Sequence, residues 1–167
     1  MDKTTIYAIF GKSGSGKDTV MKELKNAVDN YHILIRTTTR PKRENETDNI
    51  DYHFMTEEDF LANDNNYNFV ITSKFNNWYY GLDKEEIIDG ANNIGVFNIS
   101  EIKTLIEEYS DIYNVVPIYI SAGDKTRLLR SLCREPEPDC YEICRRFLAD
   151  TEDFKEIPFN YTIIYND

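Results

Sequence analysis

With 167 residues, 41% of them hydrophobic and 29% charged, the chain has the length and composition of one globular domain with room for a sizeable core. A formal net charge of −11 argues against non-specific attachment to DNA, RNA or anionic membranes, so neither a nucleic-acid nor a membrane partner is expected. No apolar run reaches membrane-spanning length and Met1-Asp2-Lys3 lacks the pattern of a signal peptide, so a cytoplasmic address is expected.

Taken in order, Thr5-Ile6-Tyr7-Ala8-Ile9-Phe10 reads as a buried strand, and Val20, Met21, Leu24 and Val28 form an apolar stripe at helical spacing. Between them stands Gly11-Lys12-Ser13-Gly14-Ser15-Gly16-Lys17-Asp18-Thr19. A strand, a glycine-rich turn and a helix form the context in which G-x-x-x-x-G-K is a phosphate site. The glycines let backbone N–H groups converge on phosphate oxygens, the helix N-terminus adds partial positive charge, and Lys17 can reach the β- and γ-phosphates. Where a Ser or Thr hydroxyl usually ligates Mg²⁺, the chain has Asp18 followed by Thr19, and a carboxylate is also a hard-oxygen ligand for that ion.

His32 to Arg36 reads as a second short strand, and Thr37 to Asp51 as a polar stretch carrying Arg40-Pro41-Lys42-Arg43. Tyr52-His53-Phe54 resumes as strand, and Thr56 stands as N-cap of a helix with acidic residues in its first turn. Asn68 to Phe75 and Trp78 to Tyr80 form a hairpin around Asn76-Asn77. Asp83 to Asp89 reads as a short helix, Gly95 to Ile99 as a strand, Glu101 to Tyr109 as a helix and Val115 to Ile120 as a strand. Helices over Lys125 to Arg134 and Tyr141 to Phe154 flank Glu135-Pro136-Glu137-Pro138, a candidate hinge, and Tyr161 to Tyr165 is the last strand. Strands alternating with helices predict an α/β fold with a doubly wound, mostly parallel sheet; residues 36–82 break the alternation and read as an inserted lobe.

All the arginines fall in two stretches, Arg36, Arg40 and Arg43, then Arg127, Arg130, Arg134, Arg145 and Arg146. Guanidinium groups gathered in an acidic chain suit an anion site, because the planar fork binds phosphate oxygens bidentately. The opposing reading, solvated helix arginines paired with Asp and Glu, holds equally well for Arg127 and Arg145. Cys133, Cys140 and Cys144 make neither a disulfide framework nor a zinc pattern; Cys140 and Cys144 share a helix face, which suggests packing as small apolar residues.

Thr38-Thr39-Arg40-Pro41-Lys42-Arg43, Asp51-Tyr52-His53-Phe54 and Tyr79-Tyr80-Gly81, together with the phosphate loop, resemble the guanylate kinase family in order and spacing, across essentially the whole chain. The resemblance implies a P-loop NTPase fold with a core at 1–35, 83–126 and 155–167, a nucleoside-monophosphate-binding lobe at 36–82 and a helical lid at 127–154. It implies ATP and Mg²⁺ as cofactors and a small phosphorylated acceptor, GMP or dGMP first. On the donor side it implies Gly11, Ser13, Gly14, Ser15, Gly16, Lys17, Asp18, Thr19, Arg130 and Asn166, with Asp18 toward the metal. On the acceptor side it implies Arg40, Arg43, Tyr52 and Tyr80 for the phosphate, and Lys17, Arg40, Arg134 and Arg146 as the catalytic cations. The family continues into a further helix after the last strand, so the resemblance implies a trimmed C-terminus.

The base pocket departs from that pattern. Ile71 stands where the family carries a guanine-reading glutamate, Leu82 and Arg36 where it carries serines, and Asn98-Ile99-Ser100 where it carries Asp-x-Asp. An unusual base, read by Thr72, Asn98 or Arg36, also satisfies the sequence, with Ser100 beside Asn98 among the expected substrate-binding residues. Ribose 1,5-bisphosphate phosphokinases resemble guanylate kinases without a base to read, and Asp18, Ile71, Asn98 and Ser100 look like that group, whereas Asp51-Tyr52-His53-Phe54 is the guanylate kinase version. A phosphosugar acceptor is therefore the alternative. A non-catalytic guanylate-kinase-like binding domain is the third reading, which the intact phosphate loop opposes.

Overall fold

The computed structural model describes residues 3–167 apart from 28, 29, 45, 76 and 135, and only the backbone of 25–27. Val28 of the helix stripe, Asn76 of the hairpin turn and Glu135 of the candidate hinge lie outside the described residues.

The strands β1 (Thr4–Phe10), β2 (Tyr31–Ile33), β7 (Asn92–Val96), β8 (Tyr113–Ser121) and β9 (Thr162–Tyr165) form one sheet in the order β2-β7-β1-β8-β9. Every pairing in it is parallel. Along β1 the side chains alternate between two cores, as the strand period requires. Ile6, Ala8 and Phe10 pack with Ile102 and Leu105 of α3 (Ile99–Tyr109), while Ile9 packs with Met21 of α1 (Lys17–Ala27). Helices on both faces of a parallel sheet make the fold doubly wound, as expected from the alternation of elements.

A second sheet, in the order β4-β3-β6-β5, is built from β3 (Arg36–Thr38), β4 (Tyr52–Phe54), β5 (Phe69–Phe75) and β6 (Trp78–Asp83). The β5–β6 hairpin closes at Phe75 opposite Trp78. Between β4 and β5 runs α2 (Glu57–Asn65), whose N-cap Thr56 accepts a hydrogen bond from the Asp59 N–H at 3.1 Å. Two helices, α4 (Asp124–Leu132) and α5 (Cys140–Asp153), pack on each other before β9.

Four details correct the sequence reading. The run His32 to Arg36 is not one strand: β2 ends at Ile33 in the parallel sheet and β3 begins at Arg36 in the other. Asp83 to Asp89 is not a helix, since β6 runs to Asp83 and only Lys84–Glu86 forms a turn of 3₁₀ helix. The strand placed at Gly95 to Ile99 lies earlier, at Asn92–Val96, because Asn98 is committed to capping α3. Finally, Cys133, Cys140 and Cys144 are all exposed, so the shared face of Cys140 and Cys144 does not pack in a core.

Candidate active site

The phosphate loop spans the end of β1 and the start of α1. Gly14 (φ +76°) and Gly16 (φ +88°) have left-handed backbones, and a Cβ at either would collide, with the Arg127 carbonyl at Gly14 and the Asn166 side chain at Gly16. The loop therefore needs glycine both for its turn and for its neighbours. Ser15 is fully buried beneath it, with its hydroxyl unpartnered. Lys17 folds its ammonium back to donate to the Gly11 and Lys12 carbonyls at 2.8 and 3.2 Å. Desolvation pushes that ammonium below its ordinary range; Asp18 and Asp150 oppose the fall, and Arg134 and Arg127 add to it.

A cavity of about 1130 Å³ opens in front of this loop. Its volume exceeds the range of about 300–1,000 Å³ for a single small-molecule site. From the loop it takes Gly11, Ser13, Gly14, Lys17 and Asp18. From the second sheet and its flanks it takes Arg36, Arg43, Tyr52, Thr72 and Tyr80, and from the start of α3 Asn98 and Ser100. Arg134 and Arg146 line it from the α4–α5 side. An adjoining cavity of about 260 Å³ is lined by Gly16, Thr19, Arg130 and Arg134 beside the loop. Nearly all the residues singled out from sequence thus line these two cavities, which share Gly14, Lys17, Asp18 and Arg134.

Four of them line neither cavity. Asn166 is close by: its side chain donates to the Ser15 carbonyl at 2.9 Å, and its own carbonyl accepts from Arg130 at 2.7 Å. Ser15 lies beneath the loop. Arg40 is buried, donating to Glu46 Oε1 at 2.6 Å and to the Pro41 carbonyl at 2.9 Å, with its guanidinium 5.4 Å from the Tyr52 ring centre. Desolvation would raise the Glu46 carboxyl, but Arg40 and the Arg43 N–H hold it below the ordinary carboxylate range. Ile71 is buried opposite Leu82 in the β5–β6 ladder and packs in the core with Phe97.

Around Arg36 the structure shows a network with no counterpart in the sequence reading. Arg36 forks onto both oxygens of Glu101 at 2.6 and 3.1 Å, and also donates to the Gly81 and Val96 carbonyls. Glu101 accepts two more hydrogen bonds, from the Ser73 hydroxyl at 2.6 Å and the Asn98 N–H at 2.9 Å. With four donors on two oxygens the carboxylate is saturated. Burial alone would raise its pKa; Arg36, Ser73 and the Asn98 N–H hold it below the ordinary range. Asn98-x-x-Glu101 is a capping box, a local signal of an Asn followed three residues later by Glu that the reading of Gly95 to Ile99 as strand passed over. The pairing with Arg36, across 65 positions, was not.

Arg127 and Arg145, given equal odds from sequence, part ways. Arg127 is buried and paired with Asp124 and Asp150, each at 2.8 Å. Arg145 and Arg146 both bind Glu142 of their own helix, at 2.7 and 2.6 Å, and Arg145 first among them draws the Glu142 carboxyl down to about 2. Asp18 is exposed on the cavity wall in the first turn of α1. Among the described residues no group of three or more His, Cys, Asp and Glu could hold a metal by itself. Mg²⁺ commonly combines one or two carboxylates with substrate phosphates rather than an all-protein cage, and Asp18 fits that donor set.

The sequence matches the family model for guanylate kinase over residues 3–167. It is 30% identical to the guanylate kinase of Helicobacter hepaticus over 171 residues, covering 100% of this chain and 85% of that one. It is 31% identical to that of Thermotoga maritima over 167 residues, covering 97% and 79%. The crystal structure of guanylate kinase from Anaplasma phagocytophilum is similar in fold, with a TM-score of 0.70 at 21% identity over 99% of this chain and 79% of that one. The chain belongs to the guanylate kinase family.

Proposed function

We propose that this chain transfers the γ-phosphoryl group of ATP to a nucleoside monophosphate, with GMP or dGMP the first candidate acceptor. The observation that carries this reading is the single cavity on which the phosphate loop, Arg43 with Tyr52 and Tyr80, and Arg134 with Arg146 converge. Phosphoryl transfer needs in-line positioning and cations around the equatorial oxygens more than it needs covalent chemistry.

In this reading the loop N–H groups and Lys17 hold the donor, and Lys17 must leave the Gly11 and Lys12 carbonyls to do so. Arg43, Tyr52 and Tyr80 hold the acceptor phosphate, with Arg40 fixing Tyr52 from behind or turning inward itself. Arg134 and Arg146 supply positive charge to the transferring group, and the α4–α5 segment, residues 127–154, acts as the lid that excludes water. Residues 36–82 serve as the acceptor lobe on a core formed by residues 1–35, 83–126 and 155–167. Mg²⁺ bound with the nucleotide would neutralise phosphate charge, and Asp18 would hold it directly or through water. Arg130 and Asn166 flank the donor side. A cytoplasmic setting belongs to the same proposal.

The names of the related proteins favour a nucleotide over a phosphosugar acceptor. Purified protein with Mg·ATP and a panel of GMP, dGMP, IMP, AMP, UMP, CMP, dTMP and ribose 1,5-bisphosphate tests the choice through ADP release. Turnover of GMP or dGMP is the expected outcome; turnover of ribose 1,5-bisphosphate alone would contradict it.

A further inference from the structure

Ser13 of the phosphate loop is gripped on both of its backbone polar groups. Its N–H donates to Asp150 Oδ2 at 2.7 Å, and its carbonyl accepts from Arg127 Nε at 2.9 Å. Arg127 and Asp150 are themselves paired at 2.8 Å, with side-chain exposures of 1% and 14%. Asp150 lies well inside α5, so its carboxylate has no capping duty to its own helix. A half-buried carboxylate needs compensating donors, and it takes one of them from a glycine-rich loop ahead of a helix N-terminus. Such an N–H is what these loops offer to phosphate oxygens.

We propose that Asp150 stands in for a phosphate oxygen of the donor on the Ser13 N–H, so that donor binding displaces it and frees α5 from the phosphate loop. The inference rests on the reading that this loop holds the donor phosphates. A carboxylate and a phosphate oxygen cannot share one N–H, and two like charges repel at that distance. Binding of the donor and seating of α5 are therefore antagonistic. By linkage the antagonism is reciprocal: whatever holds α5 on the loop weakens the donor, and removing the carboxylate tightens it. The folded-back Lys17, bound to Gly11 and Lys12, belongs to the same donor-free arrangement. Displacement also has a use, because α5 carries Arg146 on the cavity wall. Asp150 is thus a positioning residue that couples occupancy of the donor site to the helix bearing a cation for the transferring group.

A purely structural clamp gives the opposite sign, since loosening the loop would weaken nucleotide binding. The two are separated by calorimetric titration of the full chain with Mg·ATP, tripolyphosphate and adenosine at fixed ionic strength. Asp150→Asn keeps shape and an acceptor while removing the charge. Arg127→Met with Asp150→Leu removes both partners together, so neither charge is left buried alone should the single variant fold poorly. At least one of the variants should bind ATP and tripolyphosphate about tenfold more tightly than the wild type, with adenosine binding unchanged. Unchanged or weaker ATP binding in both variants, with melting temperatures like the wild type's, overturns the proposal while leaving the donor reading intact. A wild type that binds no ATP overturns both.

Discussion

Lys17 carries the sharpest consequence at the scale of single residues. Its ammonium is already desolvated and reaches only backbone carbonyls in this structure, so its charge is available to a phosphate that replaces them. Lys17→Ala should lower kcat by on the order of 10³ at saturating ATP, as measured by coupled ADP release. Glu101 leads to a second expectation. Guanine presents N–H donors on one edge, and a site that pairs them with a free carboxylate rejects analogues lacking them by about 10⁴ or more. Here Ile71 and Leu82 are core residues and Glu101 already accepts four hydrogen bonds. The ratio of kcat/KM for GMP over IMP, which lacks the 2-amino group, should then stay below about 10². A ratio of 10⁴ would show that another group reads that amine.

Between elements, the Arg36–Glu101 pair ties the first strand of the second sheet to the first turn of α3, with Ser73 of β5 joined to the same carboxylate. Removing one partner leaves a charge buried and alone. Glu101→Ala should cost about 3 kcal/mol or more in urea denaturation, and Arg36→Met with Glu101→Leu should recover much of it. Local signals made several of these elements legible beforehand: the strand-loop-helix of residues 4–27, the Thr56 cap and the β5–β6 hairpin each lie within one short window, whereas Asn98 reads as strand although its box with Glu101 is equally local. What escaped lay at long range. The alternation from His32 to Arg36 looks unbroken because nothing local shows that Arg36 turns toward Glu101 and joins a different sheet. Asp150 reaches Ser13 across 137 positions, and no period or motif marks it. Helical spacing puts Cys140 and Cys144 on one face, but the packing of α4 against α5 decides which face is covered.

Across the whole molecule, several carboxylates are held ionised below their ordinary range. Glu46 and Glu101 are lowered by arginine partners against the opposing pull of burial, and Glu142 is drawn from 4.5 to about 2 by Arg145 first and Arg146 with it. A carboxylate whose folded pKa lies below its unfolded value adds stability above the unfolded value and loses it as pH falls through the folded one. The melting temperature should accordingly hold steady from about pH 7 to about pH 5 and decline below the ordinary 4.5, with Glu142→Gln flattening the part of that decline nearest pH 2. The gathering of arginines noted in the sequence therefore has two outcomes. Some, such as Arg36 and Arg127, hold elements together, Arg36 doing so from the cavity wall, while Arg43, Arg134 and Arg146 line the cavity without tying one sheet to another element among the described residues.

The most direct test of phosphoryl transfer by this chain is ³¹P NMR of the wild-type protein with Mg·ATP and GMP, following both products in one tube. One GDP should appear for each ADP, with inorganic phosphate absent while GMP remains. One inorganic phosphate for each ADP and no second nucleoside diphosphate, for GMP and for every other monophosphate tried, would mean hydrolysis rather than transfer and would contradict the assignment.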